Sequence, residues 1–353
     1  MAQIYKALLP KFLWKHIINY LSTNNITTMI VANNDFVGVM DDNDWKRCFY
    51  DGRKDAIVII KCVCKRIDNF WRYACYNYIA CVDIDDMLSF IEADNITASS
   101  FIYYKIFIKE GRYDISKLSK HYRFNNTDCS IEITGSNRYQ YKTIFSNPNK
   151  ADAAILILSK YFSIKYITFC YTLWLSRYDH DNKEAIDNSN LEVKISNCIF
   201  SNSRIIKGLY VHSIDKLVIC DVQFKNSNCD LELVNNTTMT NCIFDNSILL
   251  IEACRLEVNY MIKNNLFSNI QSGMFDVRPA IFYSGEWNIS SRILFCNNTV
   301  KNTELFMLFW SRDDFCVMVF EDNLFTEVIR LIRGGTENII TMDKSNIFTN
   351  CTL

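Results

Sequence analysis

Between residue 143 and the C-terminus one short pattern, apolar-Phe-x-Asn, keeps returning: Ile144-Phe145-Ser146-Asn147, Ile199-Phe200-Ser201-Asn202, Ile243-Phe244-Asp245-Asn246, Leu266-Phe267-Ser268-Asn269 and Ile347-Phe348-Thr349-Asn350. Val222-Gln223-Phe224-Lys225-Asn226 and Asn323-Leu324-Phe325 are variants of it. With the weaker members Phe169 and Val300, the anchors stand at 145, 169, 200, 224, 244, 267, 300, 325 and 348, in steps of 24, 31, 24, 20, 23, 33, 25 and 23 residues. A chain that repeats every 20 to 25 residues or so, with no helical period inside the repeat, buries its apolar side chains only by stacking each repeat on the next. This predicts a parallel β-helix. The two long steps predict loops inserted at a corner of a coil.

Within a repeat the strands alternate β-branched or apolar with polar residues, as in Leu191-Glu192-Val193-Lys194-Ile195 and Lys216-Leu217-Val218-Ile219. That is the pattern of a strand with one face buried. The Phe and Ile of the repeat should form an inner ladder with a spacing of about 4.8 Å. Asn two places after the Phe suits a corner, because it tolerates left-handed backbone angles and its amide can bond the equivalent amide of the next coil.

The 38 basic and 39 acidic residues give a net charge of −1, which offers no bulk attraction to nucleic acid or to an anionic membrane. Nine Gly and three Pro leave no flexible tract to mark a boundary. Fifteen cysteines are an odd count in a long chain, residues 1–21 lack a continuous apolar leader, and Cys198, Cys242 and Cys351 lie beside the repeat's apolar positions. They read as small hydrophobes in a reducing, cytoplasmic compartment. Cys62-Val63-Cys64 is too tightly spaced for a zinc pair, and no metal or cofactor is expected.

Before about residue 110 the repeat is absent and the period moves towards 3.6. Pro10 stands where a first helical turn tolerates it, and Leu13, Ile17, Ile18 and Leu21 share one helical face. Ile26, Met29 and Ile30 begin a second short helix, Phe36, Val37 and Met40 a third, and Trp45 closes the set. Such a unit barely buries a core and leaves apolar surface for something else to cover.

Leu9-Pro10, Ile17 followed by Tyr20-Leu21, the apolar stretch 26–31, Phe36, and Trp45-Lys46 together resemble an F-box. The sequence departs from that family at Phe12, where an acidic residue is common, and at residues 32–36, which replace a Val-Cys-Arg-x-Trp-like segment. The resemblance covers residues 8–50. It implies a substrate-recruiting adaptor in which the F-box binds a Skp-family linker, the linker joins a cullin ubiquitin ligase, and a C-terminal right-handed parallel β-helix holds the target protein. Leu9, Pro10, Leu13, Ile17, Leu21, Ile30 and Trp45 would then supply the contact to the linker and its supporting core. The expected domains are 1–54 (F-box-like helices), 55–118 (a helical linker subdomain) and 119–353 (the β-helix). Residues 83–94 read as an acidic helix and 103–109 as a first strand. The alternative is that residues 10–21 merely cap the first coil.

Right-handed β-helices also include polysaccharide lyases and hydrolases, which need clustered carboxylates with a basic residue nearby. Asp276 with Arg278, Arg312 with Asp313 and Asp314, and Glu327 with Arg330 and Arg333 are the candidates for such a carbohydrate-active or carbohydrate-binding chain. None repeats at the period that would stack them on one face, and the four histidines are scattered, so no catalytic residue is assigned. A binding surface is expected on the loops that lengthen two coils, residues 173–190 and 271–290, with Arg177, His180, Phe275, Arg278, Tyr283 and Trp287 as contact residues. Phe282 and Tyr283 also fit inward strand positions. Abundant Asn, Ile and Lys point to an AT-rich genome, such as that of a virus or intracellular pathogen acting in a host cytoplasm. The last coil has no evident cap, so two copies could pair there.

Overall fold

The computed structural model describes residues 40–51, 57–62, 70–76, 78–95, 102–115, 122–123, 129–136, 142–146, 153–156, 160–176, 191–252, 258–270, 279–284, 291–309, 316–333 and 339–352, with Leu13, His16, Ile17, Tyr20 and Leu21. The chain is mainly β. Its strands fall into a sheet of 12 and a sheet of 15, and nearly every repeat contributes a strand to each. From Ile102–Ile108 onward the pairs in the first sheet are parallel, so that sheet runs with the chain to Ile339–Met342.

All nine anchors align in register. Phe145 pairs Phe169, then Phe200, Phe224, Phe244, Phe267, Val300, Phe325 and Phe348 follow in turn. Tyr113 extends the row by one strand ahead of Phe145. The rings of Phe169, Phe200, Phe224, Phe244 and Phe267 are buried and stack face to face at centroid spacings of 4.7–5.2 Å, set by the distance between strands. Val300 interrupts the stack, and Phe295 and Phe306 fill the space, lying 5.8 Å from Phe267 and 5.2 Å from Phe325 respectively.

Five of the anchors, Phe224, Phe244, Phe267, Val300 and Phe325, are bracketed by left-handed residues, and others have one on a single side. Asn226, Asn246, Asn269, Asn302 and Asn350, two places after the anchor, have φ of 49–58°. Asn197, Asp221, Asn241, Asn264, Asn297 and Asp322, three places before it, have φ of 52–57°. Asn is among the few residues that enter this region at low cost. Neighbouring corner amides bond across strands, as in Asn246 to Asn226 (2.8 Å) and Asn302 to Asn269 (2.9 Å).

A second polar ladder lies inside the core, two places before the anchor. Asn265, Asn298, Asn323 and Asn346 are buried, and each Oδ1 accepts the main-chain N–H of the preceding strand's residue at this position: Cys242 to Asn265 (2.8 Å), Asn265 to Asn298 (2.8 Å), Asn298 to Asn323 (2.8 Å) and Asn323 to Asn346 (3.1 Å). Their Nδ2 groups donate to the main-chain oxygens of Met239, Ile262, Phe295 and Phe320. In earlier repeats Cys198 and Cys242 hold the same position, and their thiols donate to Ser196 O and Thr240 O. Burial pushes both thiols up to about 12. Gly135 is required where two strands close: a Cβ there would lie 2.1 Å from the Tyr166 carbonyl oxygen.

Residues 55–118 are not the helical linker expected from the sequence. The strand Ile57–Cys62 pairs antiparallel with both Tyr78–Cys81 and Ile102–Ile108, and Ile102–Ile108 pairs parallel with Cys129–Gly135. The first sheet therefore continues through the boundary expected at 118. A purely local reading misses this because the strands gain their burial only by joining a sheet assembled later in the chain. Helices α1 (Asp42–Asp51), α2 (Phe70–Tyr76) and α3 (Ile84–Asn95) decorate this end. α1 begins in a reciprocal capping box, with Asp44 N donating to Asp41 Oδ1 and Asp41 N to Asp44 Oδ2. α3 buries Ile84, Met87, Leu88 and Ile91 with Ile57 and Ile59 in the main core, while Asp83 caps it and Asp85 and Asp86 favour its N-terminus.

Candidate functional site

Two places gather side chains that could meet a partner. The first is the N-terminal helical unit. Leu13, His16, Ile17 and Tyr20 are helical, with Leu13 and Ile17 half-buried and Tyr20 79% exposed. Leu21 packs on a small cluster of Met40, Trp45 and Cys48, separate from the main core, with Trp71 and Cys75 beside it. Trp45 is thus a core residue of this unit, 4% exposed. Leu9, Pro10 and Ile30 lie outside the described residues.

The unit is fixed to the outer face of the first sheet. Phe49, Trp71 and Ala74 cover Val58, Ile60 and Phe107, and Trp71 N donates to Asp42 Oδ1 at 3.0 Å, tying α2 to α1. The ammonium of Lys105 lies 5.5 Å from the ring centres of both Trp71 and Phe107, and 3.3 Å from Glu132. Glu132 also meets Lys165 at 2.5 Å and accepts from the Tyr103 hydroxyl at 2.9 Å. Burial alone would raise the Glu132 carboxyl; Lys105, Lys165 and Tyr103 outweigh it and bring it down to about 2. Burial lowers the ammonium of Lys105.

The second place is the outer face of the second sheet. There the register aligns Ser176, His212, Glu232, Glu252 and Ser284 in one row and Trp174, Tyr210, Asp230, Leu250 and Phe282 in the next. His212, 6% exposed, has Nδ1 at 2.9 Å from Ser213 Oγ and 3.4 Å from Ser176 Oγ, and Nε2 at 3.5 Å from Glu232. The Tyr210 hydroxyl donates to the other Glu232 oxygen, and burial followed by that bond pushes the phenol up, so it stays a donor. The ring of Tyr210 meets Trp174 edge-on at 5.0 Å.

Serine, histidine and glutamate in this order carry the groups of a hydrolytic triad, but the backbone around them is committed elsewhere. Ser213 N donates to Glu232 O and Leu233 N to Glu252 O, both at 3.0 Å, so these amides complete the ladder and cannot form an oxyanion hole. The left-handed φ of Ser213 (55°) recurs at Leu233 (53°) and belongs to the corner.

Of the contact residues expected on the lengthened repeats, Tyr283 must be withdrawn. It is 2% exposed and its strand Pro279–Ser284 turns Tyr283 inward, leaving Phe282 half-exposed. Alternation with the buried Ile281 decides this. Arg177, His180, Phe275, Arg278 and Trp287 lie outside the described residues. Both segments expected as loops contain a strand, Leu173–Ser176 and Pro279–Ser284, and Ser176 and Ser284, which end these strands, stand in one row four strands apart, about 19 Å. The sequence reading missed His212, Tyr210 and Glu232 as a group. Ser201 pairs Lys225, an offset of 24, whereas Leu209 pairs Cys229, an offset of 20, so irregularities in the strand Ile199–His212 hide the alignment from the anchor spacing.

Among the carboxylate and arginine candidates, Glu327, Arg330 and Arg333 are exposed, and the others are outside the described residues. Among the described residues no group of three or more His, Cys, Asp or Glu is placed to hold a metal, and no helix is long and apolar enough to cross a membrane. No family model, curated protein or solved structure matches the chain.

Proposed function

We propose that the chain is a non-catalytic adaptor whose F-box-like N-terminal helices bind a Skp-family linker of a cullin ubiquitin ligase, and whose remaining repeats form a right-handed parallel β-helix that holds a target protein. The β-helix reading is supported by two parallel sheets that take up the same repeats in the same order, and its hand by the strong preference of parallel crossovers for the right-handed form. The observation that carries the adaptor reading is the separate cluster of Leu21, Met40, Trp45 and Cys48, at positions the F-box resemblance assigns to a small helical unit. Weighing against the competing idea, that residues 10–21 cap the first coil, α3 buries Ile84, Met87, Leu88 and Ile91 with Ile57 and Ile59 in the main core. Fixing the helical unit on the sheet through Phe49, Trp71 and Phe107 suits an adaptor, since reach between its two ends decides which lysines of a target are presented.

The test is a pull-down of the full chain and of its Leu9→Ala/Pro10→Ala variant from lysate, probed for the Skp linker and the cullin. Recovery with the wild type and loss with the variant supports the adaptor. Absence of the linker from the wild-type pull-down rejects it and brings forward a β-helix that binds carbohydrate.

A further inference from the structure

The outer face of the first sheet changes character along its length. Its central row runs Lys105, Glu132, Ser163, Lys194, Val218, Thr238, Met261, Leu294, Val319 and Thr341. At the N-terminal end this face is covered by the chain's own helices, α1 and α2, which rest on Val58, Ile60 and Phe107. The row then carries charge through Glu132, Lys165 beside it, and Lys194. From Val218 onward the row is uncharged, with the apolar Val218, Met261, Leu294 and Val319 interleaved with Thr238 and Thr341; Met261 is 44% exposed, and Val218, Leu294 and Val319 are half-exposed. From Val218 to Thr341 the stripe spans five strand spacings, about 24 Å. Lys263 and Arg292, both exposed, flank Met261 in the rows on either side.

We propose that this stripe docks an amphipathic helix of the recruited protein whose apolar side is bordered by carboxylates, an inference that rests on the adaptor reading for its biological setting. Backbone chemistry selects a helix. The main-chain groups of these strands are spent on the parallel ladder, so a strand laid on the face would leave its own amides unsatisfied, whereas a helix brings its hydrogen bonds with it. A helix of about 16 residues covers the stripe. Continuity favours the same answer, because the Lys105 end of this face is already held by two helices. Charge favours an acidic border: carboxylates beside the apolar side would meet Lys263 on one side and Lys216 and Arg292 on the other, against the single Glu321 at the far end of the Lys263 row.

The probe is a fluorescein-labelled, end-capped helical peptide of about 18 residues with Leu at i, i+3, i+4 and i+7, Glu bordering the Leu stripe and Ala elsewhere. One control scatters the same residues so that no stripe forms, and another replaces Glu with Lys. Fluorescence anisotropy against the full chain is expected to show binding of the Glu-bordered peptide well above both controls. Met261→Glu should weaken it about tenfold, and Lys263→Glu/Arg292→Glu should weaken it while admitting the Lys-bordered peptide. Both variants change exposed side chains, and circular dichroism confirms that they fold. Equal binding of the scattered peptide, unchanged binding by Met261→Glu, or no binding of the Glu-bordered peptide at about millimolar concentration overturns the proposal. The Skp pull-down is run on the same variants. Peptide binding without linker recovery rejects the adaptor and keeps the docking face; linker recovery without peptide binding does the reverse.

Discussion

Asn298 tests whether the buried amide ladder is a principal source of stability or an accessory to the Phe stack. Its side chain is 1% exposed and makes bonds in three directions. Oδ1 accepts from Asn265 N at 2.8 Å and from Asn265 Nδ2 at 3.0 Å, and Nδ2 donates to Ile262 O at 2.9 Å and to Asn323 Oδ1 at 3.2 Å. Asn298→Ala leaves two buried donors of Asn265 without that acceptor, and each orphaned group costs about 1–3 kcal/mol. The expected loss is about 4 kcal/mol, with some of the carbonyl's share recovered through its second lone pair. Asn302→Gly is the matched control. That side chain is exposed, gives one bond to Asn269, and its φ of 50° suits Gly, so a change within about 0.5 kcal/mol is expected. Urea unfolding followed by circular dichroism at 25 °C reads both. A loss below about 1 kcal/mol for Asn298→Ala, or equal losses for the two variants, would refute the assignment of stability to the buried ladder.

Phe244→Ala removes a fully buried ring stacked at 4.7 Å on both Phe224 and Phe267, and should cost about 3–5 kcal/mol in the same unfolding assay; a loss near 1 kcal/mol would show that the neighbours collapse into the gap. Glu132 is depressed to about 2 in the folded chain from an ordinary 4.5, so its stabilisation is complete above pH 4.5 and is lost as pH falls through about 2. The stability difference between wild type and Glu132→Gln should therefore shrink across that window, and a difference constant with pH would contradict the ion-pair assignment. Cys198 and Cys242, pushed up to about 12 by burial, should resist a thiol reagent at pH 8 until the chain is unfolded; labelling of either in the native state at the rate of a free thiol would place them outside the core.

The sequence by itself made the row of nine anchors legible, because a large apolar residue, Phe in eight cases and Val300 in the ninth, returning every 20 to 33 residues in a β-forming chain can be buried only against its own copies. It also determined the left-handed Asn corners, since few other residues enter that region without strain. Tertiary structure decided what depends on partners far along the chain. Tyr113 joins the anchor row although no Asn motif marks it, and the strand Ile57–Cys62 belongs to the first sheet although its surroundings read as helical. The irregular strand Ile199–His212 shifts the register by four residues and thereby brings His212 to Glu232. Tyr283 turns inward because its strand pairs with Leu249–Glu252 in the register that places Ile251 beside it. Met261, Leu294 and Val319 become one exposed stripe only when repeats of unequal length are set side by side. Period is a local property of the chain, but a face exists only once hydrogen bonds between distant strands have fixed the register.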